Sequence, residues 1–198
     1  MKTRTTPSTD SNFLIFATAI KVIFSNTDCV VETTVQGDVY GNGNVVKTMY
    51  VFTPYGHFRI NECGKTQVEL ATIASYGIVK GFGTKVMSIL SAVQDNMAKN
   101  GRPLTLRLSA TPDFDFNMDF SPMSVKSKSW SVNLPKGKQA PQTPINKLMS
   151  FYSKFGYKNS GKLTRTNSGL PSQDMVRTPK PQQIFTDADF DSFTQFFS

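Results

Sequence analysis

The stretch Gln67-Val-Glu-Leu-Ala-Thr-Ile-Ala-Ser-Tyr-Gly-Ile-Val-Lys-Gly-Phe-Gly-Thr-Lys-Val-Met87 decides how this chain is read. An apolar run from Val68 to Ile73 gives way to a turn, and the turn opens a helical pattern, with Lys80-Gly-Phe-Gly-Thr-Lys85 at the junction. Glycines let such a turn form and let a ligand approach the main chain. The helix start supplies N–H groups without intrahelical partners and a partial positive charge. Together these grip a phosphate through the backbone. The same residues also suit an ordinary strand-to-helix turn, because short glycine patterns arise by chance.

Working outward, the helix after the turn has the firmest pattern. Val86, Ile89, Leu90, Val93 and Met97 fall on one face, and Asn100-Gly101 followed by Pro103 supplies the stop. Leu104 to Leu108 alternates as a strand, so strand, glycine turn, helix and strand follow one another as a βαβ unit requires. Upstream, Gln67 to Ser75 reads as a strand. Cys29 to Val35 and Asn44 to Phe52 read as an antiparallel hairpin across Gly37, Gly41, Asn42 and Gly43. Pro54, Tyr55 and Gly56 mark a turn, and His57 to Ile60 adds a short paired segment. Phe13 to Phe24 reads as a helix with Thr9 and Asp10 available as caps, although its near-continuous apolarity also suits a buried strand.

Downstream, Ser109 to Gln142 resists assignment. Its first half is acidic and aromatic (Asp113, Phe114, Asp115, Phe116, Asp119, Phe120), its second half is basic, and a loop of that length is functional or disordered. Thr143-Pro144 predicts a cap and first turn for a helix bearing Ile145, Leu148, Met149 and Tyr152 on one face and ending at Gly156, with a strand starting at Tyr157. Asn159 to Gln183 is polar. In the tail, residues 184–198, Phe190, Phe193 and Phe197 recur at helical spacing, so a short docked helix is expected, since exposing those rings is costly.

Length and composition bound the function. The 198 residues, 38% hydrophobic, are enough for one domain with a real core. No apolar run approaches the roughly 20 residues of a membrane span, and the polar segment before Phe13, with no small-residue cleavage site, argues against a secretory signal. A soluble, cytoplasmic protein is expected. Cys29 and Cys63 lack C-x-x-C spacing and His57 is the one histidine, so no metal site is expected. A net charge of +8 admits anionic partners, nucleic acid included, without choosing among them. Lys126, Lys128, Lys136 and Lys138 around Trp130 fit a solvated basic loop as well as they fit a nucleic-acid patch.

Two local patterns resemble a known family. Ile73-Ala-Ser-Tyr-Gly-Ile-Val-Lys-Gly-Phe-Gly-Thr-Lys-Val-Met87 resembles the acetyl-CoA-binding strand, turn and helix of GNAT-type N-acetyltransferases, and Leu148-Met-Ser-Phe-Tyr-Ser-Lys-Phe-Gly-Tyr157 is similar to that family's later helix and strand start. The resemblance covers about the C-terminal half of a GNAT core. It implies an α+β fold whose mixed, mostly antiparallel sheet has a splayed strand pair flanked by helices. It also implies acetyl transfer from acetyl-CoA to a primary amine. The acceptor does not follow from the resemblance; the charged insertion Ser109 to Gln142, which suits a broad surface better than a closed pocket, favours a protein lysine or N-terminus. By the same resemblance, the backbone of Ile73, Ala74 and Ser75 holds the pantetheine arm. The segment Lys80, Gly81, Phe82, Gly83, Thr84 and Lys85 holds the pyrophosphate, with the two lysines adding charge at the rim.

Tyr152 matches the tyrosine that protonates or orients the departing thiolate, while a core-edge aromatic is the plain alternative. Glu69, on the strand before the turn, could accept a proton through water, with His57 as a rival base. Four departures stand out. Ile78 occupies the place of a usual Gln or Arg, Asn146 is displaced by one residue from a common asparagine, the segment ahead of Gln67 is short for the usual first strand and two helices, and Ser109 to Gln142 replaces a brief connection. The alternative reading is a catalytically degenerate GNAT scaffold that binds nucleic acid or a partner protein.

Overall fold

A computed structural model of the chain describes residues 11–36, 46–111, 143–166, 169–180 and 186–197, without the side chains of Gln36, Val46, Asp187 and Phe190. The Lys126 to Lys138 cluster, the glycine-rich connection of the first hairpin and residues 112–142 lie outside the described residues. Along the chain run α1 (Asn12–Phe24), β1 (Val30–Gln36), β2 (Val46–Thr53), β3 (Gly56–Glu62), β4 (Gln67–Ser75), α2 (Phe82–Lys99) and β5 (Thr105–Ala110). They are followed by α3 (Ile145–Ser153), β6 (Lys158–Asn159), β7 (Thr164–Arg165), β8 (Pro171–Arg177) and α4 (Asp187–Phe197).

The strands form one sheet in the order β1-β2-β3-β4-β5-β8-β6, with β7 on β8. Every pairing is antiparallel except β4 with β5, which α2 connects as the crossover of a βαβ unit. This is the mixed, mostly antiparallel sheet that the GNAT resemblance implies, and the hairpin, the short third strand and the span of β4 fall where the sequence places them.

The helices pack over one face of this sheet. On α1, Phe13, Phe16, Ala17, Ile20 and Phe24 recur at helical spacing and are buried. Phe24 meets Phe58 of β3 at 6.2 Å and Phe197 of α4 at 5.0 Å between ring centroids, and Phe197 also meets Phe82 of α2 at 6.2 Å. The tail is therefore a docked helix. Burial alternates along β5, where Leu106, Leu108 and Ala110 point to the helices while Arg107 and Ser109 are exposed on the opposite face. No described helix is long and apolar enough to cross a membrane.

Three expectations need correction. The helix from Asn12 is capped by Ser11, whose Oγ accepts the N–H of Leu14 at 3.3 Å; Thr9 and Asp10 lie outside the described residues. At α3 the cap position belongs to Pro144 with no side-chain bond, and the helix closes at Ser153, before Gly156 turns the chain with φ +86°. The polar stretch Asn159 to Gln183 contains β8, an interior strand between β5 and β6.

What holds β8 in place is polar. Arg177, buried at the end of β8, donates to both carboxylate oxygens of Asp95 on α2 at 2.9 and 2.6 Å, to Oε1 of Gln94, and through Nε to the carbonyl of Phe155 at 2.7 Å. Gln94 Nε2 in turn donates to the carbonyls of Leu104 and Arg177 at 2.6 and 2.8 Å, and Asp95 accepts the Lys180 N–H at 2.6 Å. A buried charge pair persists only when its remaining donors and acceptors are also satisfied, as here. The network ties α2, β5, β8 and the end of α3 on one side of the sheet.

Candidate functional site

The site begins where β4 and β5 part. Their parallel register runs Gln67↔Thr105, Val68↔Leu106, Glu69↔Arg107 and Leu70↔Leu108, and there it stops. β4 continues to Ser75, and β5 continues to Ala110 with its far edge on β8. At the same level Arg59 pairs with Thr72 while Ile60 pairs with Leu70, which leaves Ala71 as a bulge on β4. A bulge bends its strand and raises its twist, so the bulge and the opening coincide for a physical reason.

Beyond the bulge the backbone of β4 alternates between two sides. Tyr76 N–H bonds the Tyr55 carbonyl at 2.9 Å, and the register of Gly56 with Ser75 and His57 with Ala74 extends the same ladder. Residues 72, 74 and 76 therefore turn their amides toward β3, and the main-chain groups of Ile73 and Ser75 face the gap left by β5. Of the three residues expected to offer backbone to a pantetheine arm, Ile73 and Ser75 face the gap and Ala74 faces away from it.

The turn that follows carries positive φ at Gly77 and at Gly81, 74° and 93°. Ser75 Oγ accepts the Gly77 N–H at 3.2 Å and sets the turn. Gly81 is the cap residue of α2 and uses no side-chain bond, and its carbonyl accepts the N–H of Lys85 at 2.9 Å. The amide of Lys85 is thus committed to the helix. The N–H groups of Phe82, Gly83 and Thr84 make no hydrogen bond to another described residue, as expected for a first helical turn.

The side chains here divide in role. Phe82 is buried, with its ring against Gly56. A Cβ on Gly83 would stand 3.5 Å from Cζ of Phe151 and 3.9 Å from Cδ1 of Ile73, so this glycine marks the approach of α3 to α2 and β4. Thr84 and Lys80 are exposed. Lys85 is drawn to the tail helix instead of the rim: its Nζ donates to Ser192 Oγ at 3.0 Å and lies 5.6 Å from the ring centroids of both Phe193 and Phe196.

The acid–base candidates lie on opposite faces of the sheet. Tyr152 of α3 is on the helix side, with its ring 5.2 Å from Phe151 and 6.1 Å from Tyr157, and burial pushes its hydroxyl up to about 12. Glu69 shares the other face with Arg107 and Asn61, at the penultimate pair before the opening. Its Oε2 accepts from Asn61 Nδ2 at 3.4 Å and from Cys63 Sγ at 3.9 Å. His57, also on the open face, has Nδ1 3.2 Å from the Tyr76 hydroxyl, and burial together with the charge of Arg59 lowers its pKa.

Three features escape sequence reasoning. Arg59 lies on the open face beside the bulge. Phe151, next to the tyrosine singled out, is the residue that meets α2. The tail helix sits on the first turn of α2. The spacing of phenylalanines in the tail signals docking but not the place of docking, and nothing local marks Arg59.

No family model matches the chain, and no curated protein matches it. Among solved structures it is similar to an acyl-CoA N-acyltransferase from Pseudomonas aeruginosa, at 12% identity over 70% of this chain and 74% of that one, with a TM-score of 0.39. It is also similar to a GNAT family acetyltransferase from Elizabethkingia anophelis with acetyl-CoA bound, at 8% identity over 76% and 98% of the two chains and a TM-score of 0.38. An acetyltransferase from Bacillus subtilis in complex with CoA stands at 12% identity over 77% and 100%, with a TM-score of 0.38.

Proposed function

We propose that the protein is an N-acetyltransferase that moves the acetyl group of acetyl-CoA to a primary amine. The observation that carries this reading is the opened β4–β5 pair, whose unpaired strand edge leads without interruption into a glycine-capped helix start. An extended amide-bearing chain with a diphosphate at its far end matches those two features in sequence. The pantetheine amides add to the edge at Ile73 and Ser75, and the diphosphate meets the N–H groups of Phe82, Gly83 and Thr84 with Lys80 at the rim.

Held this way, the thioester lies at the level of the bulge, and an amine reaches its carbonyl from the open face. The nitrogen forms the amide bond as the carbon–sulfur bond breaks. The surplus proton of the amine leaves through water toward Glu69, and the Tyr152 hydroxyl donates a hydrogen bond to the sulfur as it departs as a thiolate. A phenol raised to about 12 keeps its proton at neutral pH, so it stabilises the thiolate as a hydrogen-bond donor and does not give up its proton to this weaker base. Aligning the two reactants supplies much of the rate, up to roughly 7–11 kcal/mol of barrier.

The test is release of free thiol from acetyl-CoA with an amine present, in the wild type and in Tyr152→Phe. The phenylalanine variant is expected to keep acetyl-CoA affinity and lose about 10- to 100-fold in kcat. An unchanged kcat would remove the donor role of Tyr152.

A further inference from the structure

The face of the sheet away from the helices carries a row of rings. Tyr50 and Phe52 lie parallel at 6.2 Å, Phe52 meets His57 at 6.1 Å, and His57 meets Tyr76 at 5.8 Å. The row crosses β2 and β3 and ends at the turn leading to α2. Beside it stands Arg59, opposite Tyr50 on β2 and Thr72 on β4, where Thr72 is the first residue beyond the bulge. Its Nε is buried and meets no hydrogen-bond partner. Arginine always carries its charge, and a part-buried guanidinium with an unmet donor is costly unless an anion completes it. Glu69 lies diagonally across the same pair of strands, opposite Asn61 and on the other side of the bulge.

We infer that Arg59 and Glu69, on either side of the bulge, select an acceptor whose reacting amine stands beside an anionic group, a carboxylate or a phosphate, with its body against the Phe52–His57–Tyr76 rings. This rests on the acetyl-transfer reading and names its acceptor class. The charges are complementary in order. The amine lies toward Glu69 at the mouth of the opened pair, and the anion lies toward the guanidinium, which binds planar oxyanions through two parallel N–H groups. Burial and Arg59 lower the pKa of His57, so the ring beside the site is neutral near pH 7 and offers a face for stacking. A lysine side chain carries no anion next to its amine, so it leaves Arg59 unmet.

Matched amines give the test. Thiol release from acetyl-CoA is measured with L-phenylalanine against phenethylamine and with O-phosphoethanolamine against ethanolamine, alongside a lysine-containing peptide. Binding of the same amines to the protein without coenzyme is followed by ligand-observed NMR. The anionic member of at least one pair is expected to be preferred by tenfold or more, about the worth of one charge-assisted pair. Arg59→Gln should bring that preference within about threefold, and Arg59→Lys should restore part of it.

Equal use of both members of each pair, a lysine peptide used best, or a preference that survives Arg59→Gln would overturn the inference while leaving acetyl transfer standing. If acetyl-CoA does not bind, acetyl transfer falls, and the NMR arm still decides whether Arg59 holds an anion.

Discussion

Gly56 and Gly83 look alike in sequence and differ in the space around them. A Cβ on Gly56 would sit 2.3 Å from the Ala74 carbonyl and 2.6 Å from Cε1 of Phe82, both fixed groups, whereas on Gly83 it would meet Phe151 at an ordinary 3.5 Å. Gly56→Ala is therefore expected to lose about 1–3 kcal/mol or more in denaturant unfolding. Gly83→Ala, inside the first turn of a helix, should stay within about 1 kcal/mol of the wild type, with a gain the natural direction.

Tyr152 brings a dependence on pH. Its folded value of about 12 lies above the ordinary 10, so between these values the native phenol keeps a proton that the unfolded phenol has lost. This contribution is fully present below pH 10 and is lost, by roughly 2–3 kcal/mol, as pH rises from 10 to 12. Buried Tyr157 is raised too, chiefly by burial, and acts in the same direction. Urea midpoints across pH 9 to 12 should fall less steeply in Tyr152→Phe, and an identical slope would contradict this assignment.

At the scale of elements, the clearest prediction concerns the polar clamp between α2 and β8. Asp95→Ala leaves Arg177 charged and buried without its carboxylate, and should cost about 3–5 kcal/mol in chemical denaturation. Asp95→Leu combined with Arg177→Met should be less damaging than Asp95→Ala alone, because no unpaired charge remains.

The same clamp explains which elements the sequence could reveal. α2 was legible because its apolar residues repeat at the helical period, and β4 because its apolar run ends in glycines. The interior strand Pro171-Ser-Gln-Asp-Met-Val-Arg177 was not, because its buried residues are largely polar and find partners elsewhere in the fold: Arg177 on α2 some 80 positions away, Ser172 at Thr111, and Gln173 at the Gly161 carbonyl. Such partners leave no local pattern. The site shows the same division: the glycine-capped helix start is a local signal, whereas the turn of Lys85 toward Ser192 and the unmet Arg59 depend on tertiary neighbours.

At the scale of the molecule, all the described helices pack on one face and the opened pair leads through to the other. Under the proposed acetyl transfer, coenzyme and acceptor meet from different sides, with Tyr152 on the helix face and Glu69 on the open face. The tail helix belongs to the helix face, since Phe193 and Phe197 are buried there, and Phe197 meets both Phe24 and Phe82. Ending the chain at Lys180 should therefore lower stability by about 3–6 kcal/mol, the burial of two large apolar side chains, as read by thermal or urea unfolding.

The most direct test is calorimetry of the 198-residue chain with acetyl-CoA, in the wild type and in Gly81→Glu. Gly81 caps α2 in open space, where a glutamate brings a negative charge and a strained left-handed backbone to the proposed diphosphate site. One molecule of acetyl-CoA is expected to bind the wild type with affinity on the order of micromolar, and binding should weaken by 30-fold or more in a variant whose circular dichroism is unchanged, about 2 kcal/mol of lost interaction. A folded wild type that takes up no acetyl-CoA, or a variant that binds it equally well, would contradict the account.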